Sequence, residues 1–186
     1  NNVSYEAIIT AMTKRGVNKD IIKWYYNFLT TRTCEAELGE AKVVATTERG
    51  RPQGGVKSGM VWDLVYDPQL EEFDKEEHKD VIAKSFADDG TLSVSGPDIK
   101  KLYEAMQKAL DVAHEWATEC GLKYCPAKCN AMLFTSKRKT KELPKLKLNG
   151  QEIPQVETAR LLGVIFDTKL TWKPHLNQKV DKCKAT

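Results

Sequence analysis

The sequence predicts an α+β protein, a mostly antiparallel sheet with helices packed against it. Three observations carry this. Apolar residues recur at three- and four-residue steps over 3–15, 19–30 and 97–120, the spacing of one helical face. Short alternating runs come in pairs around turn residues, Gly39-Glu40, Asp89-Gly90 and Asn149-Gly150, which reads as hairpins. Helices and hairpins are interleaved rather than built as repeated strand–helix–strand units. With 186 residues, 41% hydrophobic and 30% charged, the chain can bury a core and is neither disordered nor fibrous. No apolar run approaches the ~20 residues of a membrane span, and "NNVSYEAIIT" lacks a signal-peptide layout. An intracellular protein without a membrane partner is expected. A net charge of +3 identifies no partner, so the distribution of charge must do so.

In chain order, "VSYEAIITAMTKR" (3–15) sets Val3, Ala7, Ile8, Ala11 and Met12 on one helical face, and Gly16 is the stop. A second helix covers 19–30, with Ile21, Ile22, Trp24, Tyr25, Phe28 and Leu29 as its apolar set. "CEAELGEAKVVATT" (34–47) is a hairpin, and "RGRPQGGVKSG" (49–59) a glycine-rich loop. The helical stretch "MVWDLVYD" follows, and Pro68 is expected to end or kink it at Asp67. The acidic segment 71–80 is a solvated helix end and loop. Two alternating runs then flank Asp88 and Asp89. The clearest helix runs from Pro97 to Cys120, with Ile99, Leu102, Met106, Leu110, Ala113 and Trp116-Ala117 as its stripe. "AMLFTS" (131–136) and "ARLLGVIFD" (159–167) read as strands, "KLKLNGQEIP" as a hairpin, and "KPHLNQKVDKCKAT" as the start of a helix.

Several groups could carry chemistry. "FADDG" (86–90) has two readings: a polar hairpin tip, for which Asp-Gly suffices, or a turn that presents carboxylates. Hard Mg²⁺ ions take carboxylate oxygens, and two such ions ~4 Å apart clamp the attacking and leaving oxygens of a phosphoryl transfer. That chemistry needs a third acid from elsewhere in the fold. In the loop, Gly54 and Gly55 allow close backbone approach and Gln53 both donates and accepts. Arg49, Arg51 and Lys57 add cations suited to phosphates. Lys128 stands ahead of the expected strand at 131–136, and "KRKTK" (137–141) is either a solvated loop or a track for a nucleic-acid backbone. The five cysteines lack the C-x2-C pairs of structural zinc, and reduced thiols are expected.

Taken in order, PQG (52–54) before a helix, FADD (86–89) in a hairpin, G-L-x-x-x-P-x-K (121–128) and LLGV (161–164) resemble the reverse transcriptases of non-LTR (LINE-type) retrotransposons over essentially the whole chain. The resemblance implies the palm of a right-hand polymerase with partial fingers and the start of the thumb connection. It divides the chain into a fingers and palm part, 1–158, and a primer-grip strand with the thumb connection, 159–186. It implies that Asp88 is the main metal-binding carboxylate, with Asp89 in support, at a two-Mg²⁺ site. Pro52, Gln53 and Gly54 line the pocket for nucleotide and template, and Phe86 supports the primer terminus. Lys128 is a candidate proton donor to pyrophosphate, and Leu161, Leu162, Gly163 and Val164 grip the primer. The implied partners are an RNA template, a DNA primer and deoxynucleoside triphosphates, and the implied site of work for the parent element is the nucleus.

The family's remaining metal-binding aspartate falls a few residues before Asn1 by this alignment of motifs, and with it a central strand of the palm. These 186 residues alone are therefore expected to show no appreciable polymerase activity. Departures from the family pattern are Gly59 for proline, Gly55 for serine, Arg51 and Lys57 for apolar residues, Cys125 for asparagine, Pro68 within a helix, and Leu161 for an aromatic. Together they suit a divergent or decaying copy. The other readings are a module that binds nucleic acid without copying it and an interaction domain that keeps only the fold.

Overall fold

Helices and hairpins alternate through the computed structural model of the chain, which describes residues 2–50, 52, 54, 55, 57–136 and 143–184. Packing divides it into two units, Asn1–Lys123 and Tyr124–Thr186. This division falls earlier in the chain than the boundary at 158/159, which follows motif roles rather than contacts.

In the first unit, α1 (Tyr5–Lys14) starts where the Ser4 hydroxyl accepts from the Ala7 N–H at 3.1 Å, an N-cap that satisfies a free helix donor. Gly16, at φ +69°, turns the chain out of it. The Asn18 side chain accepts from the Asp20 N–H at 2.7 Å and opens α2 (Lys19–Thr30). Ile8 and Leu29 are fully buried, and Val3, Ala11, Met12, Tyr25, Val61 and Val65 complete the core around them. Each of the two contributes about 1.5–3 kcal/mol by leaving water. Of the apolar set expected on α2, Tyr25 and Leu29 are buried, whereas Ile21, Trp24 and Phe28 face solvent.

Strands β1 (Thr33–Leu38) and β2 (Ala41–Thr46) pair around Gly39-Glu40 as a wholly exposed hairpin. α3 (Ser58–Phe73) then runs through Pro68, so of the two outcomes expected at Asp67, an end or a kink, the helix does not end there. The proline ring removes one backbone donor. Core contacts continue past it, with Gln69 and Phe73 buried. Arg15 also bonds to both Asp67 and Glu71, a turn apart on either side of the proline. A short 3-10 turn at Glu76–His78 leads to β3 (Val81–Phe86) and β4 (Asp89–Val94), which pair antiparallel. α4 (Ile99–Glu119) packs on this ribbon and on α3. Its most buried residues are Tyr103, Ala109, Ala113 and Ala117. None of the described helices is long and apolar enough to cross a membrane.

In the second unit, a 3-10 turn covers Pro126–Lys128. β5 (Lys147–Leu148) and β6 (Gln151–Glu152) join through Asn149 and Gly150, both left-handed, as a type I′ turn requires. Leu146, Leu148 and Ile153 are buried around them. The run 159–167 is not one strand. It is a hairpin, β7 (Thr158–Leu161) and β8 (Val164–Asp167), with Leu162 (φ +47°) and Gly163 (φ +84°) as its turn. An apolar residue at the tip hides the turn in the sequence. The expected strand at 131–136 reduces to a single parallel bridge between Ala131 and Gln155. No strand runs beside the rest of it among the described residues.

α5 (Lys173–Lys184) is set by Asp167. Its carboxylate accepts from the N–H groups of Lys169, Thr171 and Trp172 at 3.0–3.1 Å and from the Thr171 hydroxyl. These bonds, the Thr171 N–H foremost, hold its carboxyl below the usual range against the opposing effect of burial. The α+β class and the antiparallel pairing stand as expected. The single sheet does not: among the described residues there are four separate two-stranded ribbons, each closed on itself by a two-residue turn.

Candidate active site

The candidate site is built on the β3–β4 hairpin. Its two-residue turn is Ala87-Asp88, and Asp89 already pairs with Phe86 in the ladder. The turn thus lies one residue before the Asp-Gly step expected from the sequence. Ala87 holds φ +53° and Asp88 does not share that conformation. A left-handed alanine costs roughly 1–2 kcal/mol, so the surroundings must hold it.

α3 supplies the hold. The Trp62 indole N–H donates to the Ala87 carbonyl at 2.5 Å. One turn along, the buried Tyr66 places its hydroxyl against Gly90, opposite Ser85 in the ribbon. The Trp62 and Tyr66 rings lie 5.5 Å apart, and Tyr66 meets Trp116 of α4 edge-on at 5.1 Å. Trp62 and Tyr66 therefore back the hairpin, with Trp116 behind Tyr66, while Asp88, Asp89 and Phe86 stay exposed at its end. The two exposed carboxylates are oxygen donors of the kind a hard divalent cation takes, and supply only part of the roughly six oxygens it needs.

The glycine-rich loop runs straight into α3. The Ser58 hydroxyl donates to the Pro52 carbonyl at 2.7 Å and its N–H to Gly55 O at 2.9 Å. A β-carbon on Gly55 would meet that hydroxyl at 2.9 Å and would have to displace it. Gly54 is left-handed at φ +77°. At the loop's other end, Arg32 donates to Gly50 O at 2.8 Å and to the Tyr5 hydroxyl at 3.2 Å, tying it to α1 and α2. Lys57 lies over the Trp24 ring at 5.5 Å. Gln53, Arg51 and the basic run 137–141 lie outside the described residues.

Phe86, Asp88 and Asp89 thus share one hairpin, and Pro52 and Gly54 sit in the loop that opens the helix behind it. Lys128 and the 161–164 segment belong to the second unit. Lys128 is exposed at the end of a 3-10 turn and not ahead of a strand. Leu161 and Val164 pair in the β7–β8 ribbon, and Leu162, 57% exposed, forms its tip with Gly163.

The third acid expected beside Asp88 and Asp89 is not found among the described residues. There, the three His, Cys, Asp or Glu donors close enough to share an ion are Glu72, in the last turn of α3, and Glu77 and His78 of the 3-10 turn, none of them in the hairpin. Glu72 is already paired to Lys75 at 2.6 Å. The five thiols are free, and burial pushes those of Cys120 and Cys129 up. Sequence reasoning missed Trp62, Tyr66 and Arg32. The aromatic pair at i, i+4 after the loop was its one available signal.

The profile described as reverse transcriptase (RNA-dependent DNA polymerase) matches residues 1–166. Among curated proteins, the RNA-directed DNA polymerase from mobile element jockey of Drosophila melanogaster is 26% identical over 156 residues. That match takes 81% of this chain and 16% of the relative. A putative 115 kDa protein in the type-1 retrotransposable element R1DM, also of Drosophila melanogaster, is 21% identical over 95% of the chain and 16% of its own length. The retrovirus-related Pol polyprotein of element R1 from Bradysia coprophila is 26% identical over 68% of the chain and 12% of its own length. The chain thus spans about a sixth of the length of the first two relatives.

Proposed function

The chain belongs to the reverse transcriptase (RNA-dependent DNA polymerase) family, and from that premise we propose that it carries the carboxylate hairpin of a non-LTR-type RNA-directed DNA polymerase. On this reading the first unit is palm with part of the fingers, and the primer grip and the start of the thumb connection lie in the second. The product is DNA, extended from a primer on an RNA template with deoxynucleoside triphosphates as substrates. The polymerase would work in the nucleus, where the DNA into which an element inserts is found.

Asp88 and Asp89 are the oxygen donors, Asp88 the principal one, with a further carboxylate required from outside the described residues. Mg²⁺ bound there would acidify the primer 3′-hydroxyl and neutralise charge on the departing pyrophosphate. The protein's own part is placement. Pro52, Gln53 and Gly54 border the incoming nucleotide, and Phe86 supports the primer end beside Asp88. Lys128 gives a proton to the leaving pyrophosphate. Leu161, Leu162, Gly163 and Val164 hold the primer strand.

The single observation behind this reading is the seating of two exposed aspartates, one in the turn and one beside it, on a hairpin backed by the helix that leaves the PQG loop. The test is primer extension on an RNA template by the complete protein that carries these residues. Asp88→Asn is expected to cut Mg²⁺-dependent extension by roughly 1,000-fold, as loss of several kcal/mol of charge stabilisation implies. Extension at an unchanged rate by this variant would refute the reading.

A further inference from the structure

Trp62 belongs to none of the motifs above, yet its indole N–H reaches the Ala87 carbonyl. We propose that Trp62 is a positioning residue for Asp88, acting through the peptide that joins Ala87 to Asp88. That peptide is planar, so a donor held on its oxygen fixes the plane from which Asp88 departs. The turn needs such a hold, because Ala87 keeps φ +53° without glycine's freedom. Released from the indole, the peptide is free to rotate out of the left-handed region and carry the Asp88 carboxylate with it.

Trp62 is itself fixed. Its ring lies against Tyr66, Tyr66 lies against Trp116, and the Tyr66 hydroxyl closes on Gly90. Two side chains one helical turn apart therefore grip the hairpin at 87 and at 90, on either side of the two aspartates. Trp62 also stands one turn into the helix that begins at Ser58, where the Pro52–Gly55 loop ends. The inference rests on the reading of this hairpin as the carboxylate site and deepens it, by naming what aims the carboxylate.

The test uses Trp62→Phe, which keeps an aromatic ring and removes the N–H. In the complete protein, kcat for primer extension is expected to fall about 10- to 100-fold, the penalty of a small misplacement of a reacting group. The Mg²⁺ concentration for half-maximal rate should rise several-fold, with KM for nucleotide and the melting temperature nearly unchanged. An unchanged kcat and Mg²⁺ requirement overturns the proposal. So does a loss of activity that follows only a lowered melting temperature, which marks a purely structural role. A second readout needs no turnover. In amide NMR spectra of the 186-residue chain, Trp62→Phe should move the Asp88 resonance and weaken its broadening by Mn²⁺ alone. An unmoved Asp88 amide overturns the proposal. If extension proves independent of Asp88, the polymerase reading fails while the amide shift still reports whether Trp62 sets the turn.

Discussion

The Tyr66 hydroxyl stands 2.5 Å from the point where a β-carbon would sit on Gly90. Gly90 is not left-handed, so the glycine serves space and not backbone conformation. Tyr66 cannot yield easily, because it is buried and held between the rings of Trp62 and Trp116. Gly90→Ala is expected to destabilise the first unit by about 1–3 kcal/mol, the cost of overpacking. Adding Tyr66→Phe, which removes the clashing oxygen, should recover part of that loss in thermal or urea melts.

Asp167 makes the second unit acid-sensitive. Hydrogen bonds, led by the Thr171 N–H, favour its charged form and lower its folded pKa below the ordinary carboxylate value. Its stabilisation is therefore present at neutral pH and is lost as pH falls through that lowered value. Asp167→Ala should reduce the melting temperature at pH 7. The difference between variant and parent should shrink in melts taken toward pH 3.

Leu162 separates fold from function. At φ +47° before a left-handed Gly163, it occupies a site that a type I′ turn prefers to fill with asparagine. Leu162→Asn should stabilise the β7–β8 ribbon by up to about 1 kcal/mol. If the exposed leucine touches the primer, the same change weakens primer binding, measured by fluorescence anisotropy of a labelled template–primer.

The thiols should sort by exposure. Cys34, Cys125 and Cys183 are exposed, whereas burial raises the Cys120 and Cys129 pKa values and starves them of thiolate. Limited alkylation at pH 7 followed by mass spectrometry should label the first three well before Cys120 and Cys129.

The parts legible in sequence are those where one local rule acts alone. The apolar run over 19–30 placed α2 at Lys19–Thr30, and Asn149-Gly150 announced its turn. The misread parts are those where tertiary contacts override local preference. Ala87 and Leu162 are not turn formers, yet each takes a left-handed turn position, Ala87 with an indole on its carbonyl. Pro68 sits inside α3 because Gln69 and Phe73 have core places to fill and Arg15 spans the break. For the candidate site, the motifs singled out the aspartates and the loop. The bond from Trp62 that joins helix to turn links residues 25 apart and leaves no periodic trace.

The most direct measurement is titration of the 186-residue chain with Mn²⁺, followed residue by residue through amide NMR broadening. The account predicts that Asp88, Asp89 and Gly90 broaden first and that Asp88→Asn abolishes the effect. Broadening centred on Glu72, Glu77 and His78, or none that depends on Asp88, would contradict it.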